Sequence, residues 1–352
     1  MLVFELAFTR GEALFSDTSK LTCAMVALIM GCTNNDELQN VPSNYPADNI
    51  IRVTAGVNNP MTRGGETGTT GVTPYNGDFS LTVFNGFNSK YTYTDKRFTY
   101  ADATGWNCSE TLLWQNAITP VEIAAIAPYD DSYKVYDDAS GFTKVFSYTL
   151  KSDQTTQDAQ NKNDLLYYYN DSFTPNTGLT ADGKLALTLN HAFCLFDIQV
   201  TLGTEFNTAN GLSKDQDPIA SATIKGIYNS ATINVWGTPV VSVVTEGETG
   251  VRGNITATPG DFTAVDNEKA NATKKFSCIV LPQTLSKDYF TVTLLTTTGK
   301  KYEWSPTEDI TIKSGKKYTL KLTMGDDKLV LKEEGITAKA WADGTGGSLE
   351  TD

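Results

Sequence analysis

Apolar side chains in this chain recur at every second position, the spacing of strands buried on one face. The first such run is Ile50 to Arg63, IIRVTAGVNNPMTR, in which Ile51, Val53, Ala55 and Val57 alternate with Arg52, Thr54 and Gly56. Asn58-Asn59-Pro60 ends it, since proline brings no N–H to a ladder. A Gly/Thr-rich run from Gly64 follows, and then Phe79, Leu81 and Val83 alternate up to Asn85-Gly86, a turn signal. Tyr91–Tyr100 is strand material broken near Asp95-Lys96, and Leu112-Leu113-Trp114 is a short apolar patch. Pro120–Pro128, PVEIAAIAP, is apolar at consecutive positions, as a strand covered on both faces would be. Phe142, Phe146, Tyr148 and Leu150 share one face of a further strand, and an almost wholly polar stretch, Ser152–Asn163, follows.

The second half opens on Leu185, Leu187, Leu189, His191 and Phe193, all of one parity. The parity then changes to Phe196, Ile198, Val200 and Leu202, which predicts a bulge or bend near Cys194-Leu195. Ala222-Ile224 and Ile233-Val235 bracket Asn229-Ser230 as a hairpin. Phe276–Pro282 is apolar, and Phe290, Val292 and Leu294 turn at Thr298-Gly299-Lys300 into Tyr302 and Trp304. After Ser314-Gly315, Tyr318, Leu320, Leu322 and Met324 alternate with Lys317, Thr319, Lys321 and Thr323. Leu329-Val330-Leu331, then Ile336, Ala338 and Ala340, form a strand-like tail. No window after Cys32 holds a helical period. Short strands with frequent turns predict an all-β fold of sandwiches, divided within Phe173–Gly183, where Pro175, Gly178 and Gly183 cluster.

Composition supports this and narrows function. In 352 residues there are 16 Tyr and 16 Phe, which favour strand. The formal charge of −13 speaks against nucleic-acid binding, because phosphate neutralisation needs clustered cations. Pairs such as Lys274-Lys275, Lys300-Lys301 and Lys316-Lys317 are too short for that and read as solvated faces.

The N-terminal region carries a targeting pattern. In Lys20 to Cys32, KLTCAMVALIMGC, a cation precedes an apolar run of signal-peptide length, too short to span a bilayer as a mature helix. It ends in Ile29-Met30-Gly31-Cys32, which resembles a bacterial lipobox with Cys32 as the lipidated residue; a plain secretory signal cut near Gly31 is the alternative. Residues 1–19 fit no part of a signal peptide, as if the start were assigned too early. Thr33-Asn34-Asn35-Asp36-Glu37 resembles the acidic export signal behind the cysteine of surface lipoproteins in Bacteroides-type bacteria. Of five cysteines, Cys108, Cys194 and Cys278 remain after Cys23 and Cys32, with no C-x-x-C spacing. Neither a disulfide framework nor a zinc site is indicated; Cys194 and Cys278 read as small core residues, with a bridge between them left open.

Candidate catalytic chemistry is thin. A Ser–His–Asp arrangement would depend on the single His191, which sits on an apolar strand face. Asp130-Asp131 and Asp137-Asp138 occupy turn-like sequence; a glycosidase pair needs only to converge in space, so sequence leaves that open. Gly64–Gly71 lacks a following Lys-Ser/Thr and is no phosphate loop, and Asp215-Gln216-Asp217 is too short to indicate calcium. No metal or cofactor site is expected, and the chain reads as a non-enzyme. Trp106, Trp236 and Trp341 offer sugar-stacking faces or core, with core the commoner fate of an aromatic in a sandwich.

Two readings of the first strand remain. It is an ordinary strand with a loop behind it, or it is a strand tethered by a cleavable link. In the second, a cut between Arg63 and Gly64 frees the strand and opens a groove for another chain. The tail of Ile336, Ala338 and Ala340 is correspondingly an edge strand of its own sheet or a donor to a neighbour.

The chain resembles the fimbrillin family of Bacteroides-type bacteria, the type V pilins and their relatives. The residues carrying the resemblance are the IMGC ending at Cys32, the strand ending in TRGG at Arg63, and Ala127-Pro128-Tyr129. They continue with Asp153-Gln154, Asn163-Asp164-Leu165-Leu166-Tyr167 and Leu187-Thr188-Leu189-Asn190-His191-Ala192. Leu281-Pro282-Gln283, Gly299–Trp304 and Gly315-Lys316-Lys317-Tyr318 complete them. Tyr168 and Phe193-Cys194-Leu195 depart from the family pattern as core substitutions.

The resemblance implies two transthyretin-like β-sandwich domains in tandem, over 64–180 and 181–332. Before them stand a signal peptide (1–31) and a lipidated pro-segment with the first strand (32–63); a tail (333–352) follows. It implies export to the outer membrane through lipid on Cys32, then cutting after Arg63 by a trypsin-like maturation protease. Assembly with other fimbrial subunits by strand donation would follow. A tip or monomeric surface lipoprotein binding a host glycan or protein is the alternative.

Overall fold

A half-buried strand needs a core on one face only, and a strand apolar on both faces needs two. Both kinds occur in this protein, and the second kind joins two cores. The computed structural model describes residues 44–58, 72–136, 145–207, 216–247, 250–265, 268–325, 327–340 and 346–348.

The strands in chain order begin with β1 (Val53–Asn58), β2 (Val72–Pro74), β3 (Phe79–Phe84), β4 (Tyr93–Ala101) and β5 (Gly105–Cys108). Next come β6 (Val121–Ala127), β7 (Phe146–Thr149), β8 (Leu166–Phe173), β9 (Leu185–His191) and β10 (Cys194–Leu202). The following five are β11 (Ile219–Tyr228), β12 (Ser230–Ile233), β13 (Val241–Val243), β14 (Arg252–Thr256) and β15 (Thr258–Val265). Then come β16 (Glu268–Val280), β17 (Thr284–Leu285), β18 (Thr291–Thr296), β19 (Lys301–Trp304) and β20 (Ile310–Thr311). The last are β21 (Lys316–Met324), β22 (Leu329–Ala340) and β23 (Gly346–Ser348). Among the described residues two short α-helices, α1 (Gln157–Asn163) and α2 (Pro175–Gly178), and 3-10 turns at Ser89–Tyr91 and Thr204–Asn207 interrupt the strands.

Eight strands form one sheet in the order β2-β1-β9-β8-β6-β3-β4-β5, and six form another in the order β15-β16-β10-β21-β22-β23. Smaller sheets, β14-β11-β18-β19, β13-β12-β7 and β17-β20, complete the fold. The first core gathers Val53, Phe79, Leu81, Phe98, Ile123, Leu185 and Leu187. The second gathers Phe196, Ile198 and Val200 of β10 with Ile224, Val292 and Leu294 of β11 and β18. Strand β6 serves both. Its Val121, Ile123, Ala125 and Ala127 face the first core, while Ala124 and Ile126 face the second, which is why PVEIAAIAP shows no alternation.

The parity change after His191 is a change of sheet: β9 closes in the first sheet, the chain bends at Ala192-Phe193, and β10 starts the second. The expected break near Asp95-Lys96 is a bulge inside β4, where Asp95 takes a φ of 48° and the register shifts against β3. Two strands cross the sequence position where a division was expected: β9 lies beyond it in the first sheet, and β7 lies before it but pairs with β12.

Two expectations are corrected. Asn229-Ser230 is no hairpin: β11 pairs with β14 and β18, whereas β12 pairs with β13 and β7. The backbone groups at this corner are taken by other partners. Gln283 accepts from Tyr228 N (2.8 Å) and donates to Tyr228 O (2.9 Å), and Leu150 N donates to Asn229 O (2.8 Å). The polar stretch at 152–163 contains a helix, α1, opened by Thr156, whose hydroxyl accepts from Ala159 N at 3.1 Å. It lacks an apolar stripe because it buries amides: Gln160 donates to Ser277 Oγ (3.0 Å), and Asn163 Oδ1 accepts from Lys151 N (2.8 Å).

Candidate functional site

The site begins at β1. Its alternation places Ile51, Val53, Ala55 and Val57 in the first core at 5–8% exposure. It lies between the three-residue β2, antiparallel, and β9, parallel, with Val53 opposite Leu185 and Val57 opposite Leu189. The flank before it is pinned from the other side: Ile51 N donates to Leu112 O and Trp114 N to Asn49 O, each at 2.8 Å. Asn58 Nδ2 donates to Asn190 Oδ1 at 3.0 Å at the far end. Fully burying each larger aliphatic side chain is worth about 1.5–3 kcal/mol, so β1 contributes substantially to the first core. Without it, β9 would present an unpaired edge above an open core, costly until another strand fills it.

Gly56 fits this slot for a steric reason. A Cβ there would lie 2.2 Å from Val72 Cγ1 and 2.9 Å from Thr73 O. Arg52 is engaged at both ends: its carbonyl accepts from Leu185 N (2.8 Å), and its guanidinium bridges Asp48 at 2.6 Å. The Arg52 bond holds the Asp48 carboxyl down at about 2, although both groups are solvated. A cavity of about 380 Å³ adjoins the start of β1, lined by Ile51, Val53, Phe98, Trp106 and Leu112 together with Glu110 and Lys184. Thus β5, at the far edge of the sheet, faces β1 across it. Sequence alternation identifies the four core side chains; Gly56 and the Asn58–Asn190 bond are not legible in it because each matters through partners distant in sequence, and Asp48, bound to Arg52 four residues on, carries no apolar signal.

The tail lies elsewhere. Ile336 and Ala338 sit in β22, opposite Leu320 and Tyr318 of β21, half-buried against the second core. Ala340 pairs with Lys316 at the backbone, and β23 pairs with β22 outside it. Between Leu331 and Ile336 the register jumps, with Leu322 opposite the former and Leu320 opposite the latter. β22 is therefore two pieces joined by a large bulge. The β1 residues and the tail residues are not brought together within one chain. Cys32, Arg63 and Gly64 lie outside the described residues, as do Trp341, Asp137-Asp138 and Asp215.

The remaining candidates are structural. His191 is buried, and its Nδ1 lies 2.9 Å from Asp164 Oδ1, tying the end of β9 to the residue after α1. Asp130 accepts from Ser132 N (2.8 Å) and Ser132 Oγ (2.5 Å) in an exposed turn. Cys194 and Cys278 are free thiols in the second core, pushed up by burial. Cys194 donates to Lys313 O at 3.1 Å. Trp236 Nε1 donates to Val135 O (3.0 Å) and the ring meets Tyr169 edge-on, while Trp106 packs on Tyr100 at 4.8 Å. Both rings are half-buried, and Trp106 also lines the cavity beside β1. The motif glutamines are brackets: Gln154, fully buried, accepts from Ile279 N (2.8 Å) and donates to Ile279 O (3.0 Å), as Gln283 does at Tyr228. Among the described residues no three His, Cys, Asp or Glu side chains converge as metal ligands, and no helix is long and apolar enough to cross a membrane.

Comparison with known proteins agrees with this architecture. The profile of a family described as fimbrillin-like matches residues 62–341. No curated protein sequence matches the chain. Among solved structures, a candidate cell adhesion protein of Bacteroides uniformis is 17% identical with a TM-score of 0.53. The match covers 84% of this chain and 99% of that one. A second, from Bacteroides ovatus, is 14% identical with a TM-score of 0.57, covering 83% of this chain and 98% of the other. At those identities the likeness is one of fold.

Proposed function

This chain belongs to the fimbrillin-like family, and on that premise we propose that it is a fimbrial subunit of the cell surface whose first strand is a removable plug. The observation that carries the reading is the setting of β1. Val53, Ala55 and Val57 of the strand and Ile51 just before it fill the first core, its ladder partner β9 comes from a distant part of the chain, and only residues 59–71 join it to β2. A single cut after Arg63 would therefore sever β1 from everything it is packed against. Arg63 supplies the cationic side chain that a trypsin-like maturation protease accepts. Arg52, the competing site, has its carbonyl in the ladder and its guanidinium on Asp48. In this reading the chain is exported as a lipoprotein held to the outer membrane through Cys32, and lipid and plug leave together. The vacated slot takes a strand from another fimbrial subunit. Domains of 64–180 and 181–332 would then be two sandwiches packed about β6, with β9 reaching back from the second span into the first sheet and β7 forward to β12.

A second reading is a tip or monomeric surface lipoprotein that keeps its tail and binds a host glycan or protein. It draws on the pairing of Ile336, Ala338 and Ala340 with β21 under the cover of β23. The cleavage step is tested by Arg63→Ala in the native host. The variant should reach the surface, retain β1 and fail to enter fibres; normal maturation and polymer growth would refute the step.

A further inference from the structure

The connection between β3 and β4 is built with more care than a turn requires. Asn85 is 2% exposed, and both polar atoms of its side chain are hydrogen-bonded. Its Oδ1 accepts from Phe87 N (2.9 Å) and Asn88 N (3.0 Å), and its Nδ2 donates to Gln115 Oε1 (2.8 Å). Its backbone N–H donates to Thr92 Oγ1 at 3.0 Å. Asn88 then caps the 3-10 turn Ser89–Tyr91, its Oδ1 accepting from Lys90 N at 3.1 Å. A loop held from so many directions is pre-organised, and what it holds is Phe87, 75% exposed. Single exposed apolar side chains are ordinary. This one borders a concavity of about 410 Å³ whose other aromatic walls are Phe84 and Tyr136, rings 6.0 Å apart. The polar lining includes Asn88, Ser89 and Thr94, and none of the described lining residues is charged at neutral pH. In a chain one-fifth charged with a net −13, a concavity whose described wall is aromatic, amide and hydroxyl is selective chemistry.

We propose that this concavity beside the β3–β4 loop is a binding site for a neutral saccharide. Aromatic faces match the C–H face of a pyranose ring, and amide and hydroxyl groups match its equatorial hydroxyls. The volume lies in the range of small-ligand pockets. The described wall offers no cation to offset desolvation of a carboxylate or sulfate, so sialylated and sulfated sugars are disfavoured. The inference rests on the adhesive, surface-exposed reading and supplies its ligand class. One such pocket binds weakly, and repetition along a fibre would raise avidity by about 10²–10⁴.

The test is saturation-transfer NMR and calorimetry on the purified full chain with lactose, cellobiose, chitobiose and 3′-sialyllactose. At least one neutral disaccharide should bind at millimolar concentration, with transfer from aromatic protons, and more tightly than sialyllactose. Phe87→Ala should weaken it about tenfold without changing Tm, since Phe87 is exposed. Asn88→Ala should weaken it with the β3–β4 ladder intact by amide exchange. No transfer to any neutral sugar, equal binding by F87A, or preference for sialyllactose would overturn the proposal. Because F87A should still mature and polymerise, failure of the pocket is distinguishable from failure of the fimbrial reading.

Discussion

Gly56 sets how closely β2 approaches β1. Because one of the two atoms a Cβ would meet is the backbone oxygen of Thr73, a rotamer change cannot relieve the clash. Gly56→Val should cost about 1–3 kcal/mol, read as a fall in Tm, with β2 the first segment to exchange its amides; an unchanged melt would show that β2 yields freely. The thiols make a second residue-scale prediction. A chain beginning at Gly64 retains Cys108, Cys194 and Cys278. Burial raises the last two away from the reactive thiolate form, while Cys108 is half-buried. An aromatic disulfide reagent should titrate one thiol in the native protein and three after denaturation. Three fast thiols in the native state would contradict the burial described.

At the scale of elements, alternation was legible wherever one face is wet. It marks Ile51, Val53, Ala55 and Val57 in β1 and Tyr318 to Met324 in β21, and unbroken apolarity marks β6. Pairing was not legible. Asn229-Ser230 carries the same local signal whether the chain folds back on its neighbour or turns a corner into another sheet. Only the remote Gln283 and Leu150 decide the matter. Helix α1 escaped because its buried contacts are amide hydrogen bonds, invisible to a search for apolar period, although Thr156 and the Asp158–Lys162 pair, 2.7 Å apart, are helix signals of the ordinary kind. The tail shows the same limit. Its pattern gives a strand, and its pairing with β21 comes only from the fold. The bulge in β22 separates Leu329–Leu331 from Ile336–Ala340, so removing residues 333–352 leaves the inner piece on β21. Truncation there should end fibre growth at this subunit if the tail is donated, while the truncated protein keeps its fold by circular dichroism. Undiminished fibre length would favour the tip or monomeric reading.

At the scale of the molecule, β6 makes the two cores neighbours, Ile123 in one and Ile126 in the other. A change in the strand beside the first core is therefore one strand-pair from the second, since β6 and β9 both pair with β8. Membership of the fimbrillin-like family gives this architecture a surface role, and in the assembly proposed for it one covalent link holds the first core closed. The account stands most directly on the N-terminus of the subunit inside assembled fibres. Extraction of fibres from the cell surface, followed by Edman sequencing and intact mass, should give a chain beginning at Gly64. A blocked terminus at Cys32, with Ile51 to Val57 still attached, would contradict it.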